Sequence, residues 1–309
     1  MKFLLFPIRL LRSIKELLRL VPLMSEEMER IRQAIGRVEA RQVKDASRIA
    51  DAEFRVYSQW GEDGIIQNLI GRIPGVDPSF IEFGVEDYRE SNTRFLLVNN
   101  NWRGLILDAA GSQLDTVRRS KTYWQHSLTA VTAFITRENI NDLIQSAGFA
   151  GDIGLLSVDI DGNDYWVWKA IDCVRPAIVV AEYNAILGCD HPLTIPYDSA
   201  FDRTRAHFSH VYYGASLSAL HALGEEKGYA LVASNSAGNN AFFVRRDLLG
   251  ALKAMRPADV FVKPRFREAR NPDGSLGFLD LKAARDLIAD MPLVNVSTGQ
   301  VTNLRAAGV

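Results

Sequence analysis

A succession of short apolar runs, spaced by segments of helix length, constrains this chain more than any other feature. "SFIEFGV" (79–85), "RGLILDA" (103–109), "AVTAFIT" (130–136), "DIGLLSVDI" (152–160) and "AIVVAEY" (177–183) read as five strands, the third being the weakest. Between them, segments such as "RENINDLIQSAGF" and "DYWVWKAI" have the length of helices. Apolar strands alternating with helices imply a mostly parallel sheet covered on both faces. "GYALVASNSAGNNAFFVRR" adds two β-rich runs around a Ser-Ala-Gly-Asn-Asn turn, a hairpin at the sheet edge. With 309 residues, 47% of them hydrophobic, the chain can bury one large core and carry additions.

The additions lie at both ends. Leu10, Ile14, Leu17, Val21, Met24, Met28, Ile31, Ile35 and Val38 recur at alternating spacings of four and three. That is the a/d seam of helices that pair along one stripe. Pro22 inside this run is expected to kink or split it, with Ser25 capping a fresh helix. Lys2, Arg9, Arg12, Lys15 and Arg19 stand against Glu16 alone, a basic amphipathic pattern suited to an anionic membrane surface. Three outcomes follow for residues 1–50: a homo-oligomer through the N-terminal helices, peripheral contact with a membrane, or packing on the main domain. Residues 51–250 form the α/β domain. Residues 251–309, with the turn "NPDGS" and the helical stretch "LDLKAARDLIADM", form an extension that packs on it.

Composition excludes several classes. A net charge of −1 gives no electrostatic case for nucleic acid. Cys173 and Cys189 lack a C-x-x-C spacing, which argues against a disulfide framework or structural zinc and fits a reducing cytosol. No run approaches the roughly 18 apolar residues of a spanning helix. Arg9 and Arg12 break the apolar start, so it resembles a signal peptide only briefly. The expected location is the cytoplasm, peripheral at the inner face of the membrane.

In such sheets ligands bind beyond the carboxyl ends of the strands, near the switch in strand order. Glu82 and Gly84 close the first strand there, and Asp108 closes the second. An acidic residue at the second strand end commonly takes ribose hydroxyls. The first turn, "EFGVEDYRESNT", has one glycine where a dinucleotide fingerprint needs three, and it adds Glu86, Asp87 and Glu90. Such a loop repels a pyrophosphate, so NAD and ATP fit poorly. S-adenosylmethionine, with a sulfonium, an amino group, a ribose and no phosphate, fits better.

The stretches "YSQWGEDGII", "FIEFGVEDYRESNTRFLL", "NWRGLILDA", "LLSVDIDGNDYWVWKAI", "VVAEYNA", "YYGASLSAL" and "NSAGNNAFFV" run in order from about residue 57 to 244. On them the chain resembles the FkbM-like family of S-adenosylmethionine-dependent methyltransferases, in its bacterial sugar and polysaccharide branch. Two departures stand out: the acidic first loop replaces a glycine-rich one, and Asp159-Ile160-Asp161-Gly162 stands where the family often has Asp-x-Glu-Gly. The resemblance implies a class I methyltransferase fold, α/β and Rossmann-like, with Glu82, Gly84, Asp108 and Asp159 along the cofactor and Asp108 on its ribose. It also implies contacts from Gln59 to the methionine end and from Asn92 and Thr93 to the cofactor carboxylate. Helix capping is the competing role for Gln59 and Thr93.

The acceptor side centres on "LLSVDIDGNDYWVW". Asp159 and Asp161 are two apart on an extended strand end, so their side chains are expected on one side. Glu182 ends the neighbouring strand. These three carboxylates suit a hard divalent ion, Mg2+ or Mn2+, an arrangement resembling several sugar and catechol O-methyltransferases. Without an ion, Asp161 or Glu182 would bind or deprotonate a sugar hydroxyl directly. A turn in which Asp161 and Asn163 satisfy backbone donors is the bland alternative. Asp164 reads as a first-turn helix residue. Among His191, His207 and His210, His207 is the preferred candidate base, and Tyr197, Tyr212 and Tyr213 are candidates for stacking on a sugar. Trp166 and Trp168 read as packing residues, and Asn239 and Asn240 as shaping the hairpin turn. The expected function is O-methylation of a saccharide or glycan precursor. The alternative is a non-catalytic scaffold that organises glycan-biosynthesis enzymes through its N-terminal helices.

Overall fold

The computed structural model describes residues 5–266 and 268–309, without side-chain detail for residues 5–13 and 45. Lys2 and the side chains of Arg9, Leu10 and Arg12 lie outside the described residues. The first helix, α1 (Leu5–Gln42), runs unbroken through Pro22. The expected split with a fresh start at Ser25 is therefore absent. A proline here removes one bond to the Leu18 carbonyl, and Leu18 is solvent-exposed, so water takes its place.

The domain proper begins with α2 (Glu62–Arg72), β1 (Ser79–Phe83), α3 (Arg94–Asn100) and β2 (Arg103–Asp108). It continues with α4 (Gly111–Arg118), α5 (Lys121–Gln125), β3 (Leu128–Thr132), α6 (Ile140–Ser146) and β4 (Gly151–Val158). Next come α7 (Asp164–Ala170), β5 (Val174–Glu182), β6 (Leu193–Thr194), α8 (Arg203–Ala206), α9 (Leu217–Glu226), β7 (Tyr229–Ser234) and β8 (Asn240–Arg245). The extension holds α10 (Pro257–Val260), α11 (Leu281–Leu287), β9 (Leu293–Asn295), β10 (Val301–Thr302) and α12 (Leu304–Ala307).

Among the described residues, one sheet of seven strands runs in the order β3-β2-β1-β4-β5-β8-β7. The pairs along β3-β2-β1-β4-β5 are parallel, and β8 is antiparallel to both β5 and β7. This is the expected Rossmann-like sheet with an antiparallel edge hairpin. Strand residues alternate between two apolar layers. Ile81, Phe83, Leu156, Val179 and Ala181 join Trp168 and Leu220 on one face. Phe80, Ile106, Leu155, Ile178 and Val180 join Ile65, Leu69 and Leu97 on the other. Burying both faces is what continuous apolar strands require.

A second sheet, β10-β9-β6, sews the extension to the domain. Leu193, Ile195, Val211, Ala284, Ile288, Leu293 and Leu304 form its core. The C-terminal end of α1 and the turn after it pack on the domain as well, through Ala40 and Val43 against Phe54, Val56 and Phe95. No described helix is long and apolar enough to cross a membrane.

Candidate active site

A cleft of about 700 Å3 opens at the carboxyl ends of the strands, where the order reverses between β1 and β4. Gly84, directly after β1, lies hard against the backbone directly after β4. Its φ is +69°, its N–H donates to the Leu107 carbonyl at 3.0 Å, and a methyl group there would overlap the Asp159 carbonyl oxygen. Only glycine satisfies both constraints. Beyond it Glu86 and Tyr88 also take positive φ, at 48° and 59°, and the turn brings the Glu86 N–H to the end of β2.

Asp108 lines the cleft at the end of β2. Its Oδ2 accepts from the Glu86 N–H at 2.8 Å and its Oδ1 from the Ala110 N–H at 2.7 Å. Each carboxylate oxygen keeps a second lone pair for a ribose hydroxyl. Glu82 is committed more fully. It accepts from the Ser91 hydroxyl at 2.5 Å, the Asn92 N–H at 2.8 Å, the Thr93 N–H at 3.2 Å and the Thr93 hydroxyl. Burial raises its pKa against these bonds. Glu82 thus shapes the loop that borders the cleft. Asn92 lines the cleft and donates its amide to Ser157 at 3.1 Å. Thr93 stands at the N-cap of α3 without a side-chain capping bond, set back behind Glu82 and outside the cleft lining.

Gln59 and Trp60 enter from the "YSQW" turn. Asp63 pins that turn, its Oδ2 accepting from the N–H groups of Val56, Tyr57 and Ser58 at 2.7–2.8 Å and from the Ser58 hydroxyl at 2.9 Å. Glu62 ties the turn to the edge hairpin. One of its oxygens takes the Trp60 and Gly61 N–H groups, and the other takes the Asn235 and Asn240 side-chain amides. Gln59 makes no capping bond to α2, whose N-cap is Gly61. Asn239 and Asn240 also reach the cleft lining.

Opposite stands the carboxylate cluster. Oxygens of Asp159, Asp161 and Glu182 lie within 4.8 Å of one another, with Glu182 buried and Asp161 exposed. The expected reason for Asp161 joining Asp159 does not hold. β4 ends at Val158, and Asp161 reaches the cluster through a left-handed turn residue with φ +55°. Nor do Asp161 and Asn163 satisfy the turn's donors: Asp164 does, accepting from the Ile160 and Gly162 N–H groups at 2.8 and 2.9 Å. The Asn163 amide instead donates to the Asp198 carbonyl at 2.8 Å.

Burial first, and then the neighbouring carboxylates, raise the pKa values of both Asp159 and Glu182. Glu182 Oε2 is buried without a hydrogen-bond partner among the described residues. Asp161 pairs with Arg203, which also bonds Glu268 at 2.7 Å, stacks 4.0 Å over Tyr213 and donates to the His210 carbonyl. Sequence reading missed Arg203, which has no periodic or motif signal in "FDRTRAHF". It missed the aromatic wall too. Trp60 stacks on Phe266 of the C-terminal extension at 5.9 Å, and Phe134 and Phe201 also line the cleft.

The other candidates lie elsewhere. His207 binds Ser209 through Nδ1 at 2.6 Å and is not part of the cleft lining. Tyr197, Tyr212 and Tyr213 are outside that lining as well. The Tyr212 hydroxyl faces the Pro292 carbonyl, and Tyr213 lies beneath Arg203. Trp168 packs against Tyr229 and Phe243, and the Trp166 indole donates to the Ile195 carbonyl at 2.9 Å.

The buried carboxyls make stability pH-dependent. Burial pushes Asp63 from its ordinary 3.8 up to about 6, and Glu82 moves in the same direction. A carboxyl with a raised folded pKa binds protons preferentially in the native state. Its contribution is complete below the unfolded pKa and is lost as pH rises through the folded value. The melting temperature is therefore expected to fall by several degrees as pH rises from about 4 to above 6, since each tenfold gain in proton affinity on folding is worth roughly 1.4 kcal/mol. Calorimetric scans across that window check it; a flat or rising profile contradicts it.

No protein-family model matches the chain, and no curated protein matches it. Solved methyltransferase structures align with it at low identity. For the CurJ carbon methyltransferase the TM-score is 0.37 and the identity 11%, over 60% of this chain and 52% of that one. For an O-methyltransferase from Bacillus cereus in complex with SAH they are 0.34 and 15%, over 54% and 72%. For the N-terminal domain of EvdMO1, in the presence of SAH and D-fucose, they are 0.36 and 11%, over 65% and 82%. The chain spans about half the length of the CurJ protein. Likeness this distant carries no argument about chemistry, which rests on the cleft.

Proposed function

We propose that the chain is an S-adenosylmethionine-dependent O-methyltransferase acting on a hydroxyl of a saccharide or glycan precursor. The observation that carries this reading is one cleft with two unlike ends. At one end Asp108 offers a ribose anchor beside Glu86, Asp87 and Glu90, a wall hostile to phosphate and favourable to a sulfonium and an amino group. At the other, Asp159 and Glu182 meet where an acceptor hydroxyl would sit, flanked by the stacked Trp60 and Phe266. Aromatic faces beside carboxylates suit a polyol with apolar ring faces.

Transfer breaks the methyl–sulfur bond and forms a methyl–oxygen bond, leaving S-adenosylhomocysteine and a methyl ether. The hydroxyl proton passes to an ionised carboxylate of Asp159 or Glu182, which later releases it to solvent. Holding the hydroxyl in line with the methyl group is the cleft's main contribution.

A divalent ion fits the same residues. Asp159, Asp161 and Glu182 would hold it, and Glu182 Oε2 is a buried oxygen lacking a partner among the described residues. The 4.8 Å spread is close to the about 4.2 Å across an octahedral Mg2+ site. Such an ion supplies acidity to a bound hydroxyl. A metal-free reading is favoured by one observation: Arg203 already pairs with Asp161 and compensates the cluster's charge. EDTA separates the two. With an ion, chelation is expected to abolish transfer, and Mg2+ or Mn2+ to restore it while cofactor binding survives. Full turnover in chelator leaves Arg203 as the compensating cation. The saccharide assignment itself is tested by mass spectrometry of the native glycan with and without the gene: loss of one methylation is expected, and an unchanged glycan rejects it.

A further inference from the structure

The helix α1 meets the domain along one stripe. Glu26 pairs with Lys121 at 2.6 Å. Glu29 accepts from the Tyr57 hydroxyl at 2.6 Å and pairs with Arg94 at 3.0 Å, and Gln33 donates to Tyr57 at 2.9 Å. Gly36 abuts Val56 and Phe95, and Ala40 is buried beside them. These contacts step by three or four residues and so define a single face. At about 100° per residue, the heptad seam from Ile14 to Val38 lies about 150° around the helix from that face. Its side chains are exposed throughout, Met28 at 64% and Ile35 at 57%. The fold spends one side of α1 on its own domain and leaves the seam bare.

We propose that this seam is covered by α1 of a second copy, in a parallel two-stranded coiled coil. From residue 14 to 38 the seam is about 37 Å long and spans three and a half heptads, enough to zip. The a positions are Ile14, Val21, Met28 and Ile35, three of them β-branched. In the first two heptads they alternate with the unbranched-Cβ d residues Leu17 and Met24, the combination that favours two strands, whereas Ile31 and Val38 at the later d positions do not add to it. Glu27 occupies a g position and Arg32 the e position of the next heptad. Two parallel helices in register bring Glu27 of one against Arg32 of the other, twice. Within one chain both are held loosely, Glu27 to Arg30 at 3.3 Å and Arg32 to the Val56 carbonyl at 3.5 Å. Pro22 falls at a b position, off the seam. A lipid surface is the poorer occupant, because over the seam, residues 14–38, Glu16, Glu26, Glu27 and Glu29 nearly balance Lys15, Arg19, Arg30, Arg32 and Arg37.

Sedimentation velocity on the full chain tests this. The wild type is expected to be a dimer at micromolar concentration. Met28→Asp with Ile35→Asp should be a monomer of unchanged melting temperature, because those side chains are exposed on their own domain. Ile14→Cys should form an interchain disulfide on oxidation, since an a position faces its own copy only in a parallel pair. A monomeric wild type at tens of micromolar, or a dimer that survives the double substitution, overturns the proposal. A dimer that fails to cross-link overturns its parallel arrangement. If the wild type stays monomeric but floats with anionic liposomes, and the double variant does not, lipid is the occupant instead.

Discussion

Replacing Glu182 by glutamine is expected to lower methyl transfer by about 10^2- to 10^4-fold, the range associated with a positioned proton acceptor. Affinity for S-adenosylhomocysteine should stay within a few-fold, because Glu182 ends β5 on the acceptor side of the cleft, across from Asp108. Glutamine keeps the shape of the side chain but cannot take a proton or serve as an anionic ligand. Stability should hold or rise, since burial and Asp159 both disfavour the Glu182 charge. Complementing gene-deleted cells with the variant and quantifying methylated glycan checks the activity. Methylation near the wild-type level would remove Glu182 from the chemistry.

Gly84→Ala is expected to have the largest effect on the fold and site together. An alanine at φ +69° carries about 1–2 kcal/mol of backbone strain. Its methyl must also displace the Asp159 carbonyl, an overpacking cost of about 1–3 kcal/mol. At about 2–4 °C per kcal/mol the melting temperature should drop by roughly 10 °C. Pushing the chain after β4 away also moves Asp159 at the acceptor end, so methyl transfer should fall at least tenfold. Gly228→Ala isolates the steric part. Gly228 has φ +81°, but a methyl group added there would meet nothing within 4 Å, so only the backbone strain applies. Equal losses in the two variants would contradict a close approach of the chain after β1 to the chain after β4 as the reason for the glycine.

The strands were legible because each is a continuous apolar run, and both faces of the sheet are buried. The carboxylates at their ends were legible for a related reason: a charge directly after such a run must leave the core, and the topology sends it to one edge. Asp161 shows where that reasoning stops. Its place in the cluster depends on a left-handed turn held by Asp164, not on strand alternation. Arg203 and Phe266 were invisible for another reason. They arrive from a long connection and from the C-terminal extension, and neither leaves a spacing signal near the residues it touches. Pro22 misled because propensity penalises a proline for a bond that an exposed helix replaces with water.

Calorimetric titration of S-adenosylhomocysteine into the folded full-length chain tests the central claim most directly. Low-micromolar binding is expected, with Asp108→Ala weakened at least tenfold, since a ribose hydrogen bond to a charged group contributes about 1.5–3 kcal/mol. A folded wild type that gives no binding heat at millimolar ligand would contradict the methyltransferase reading.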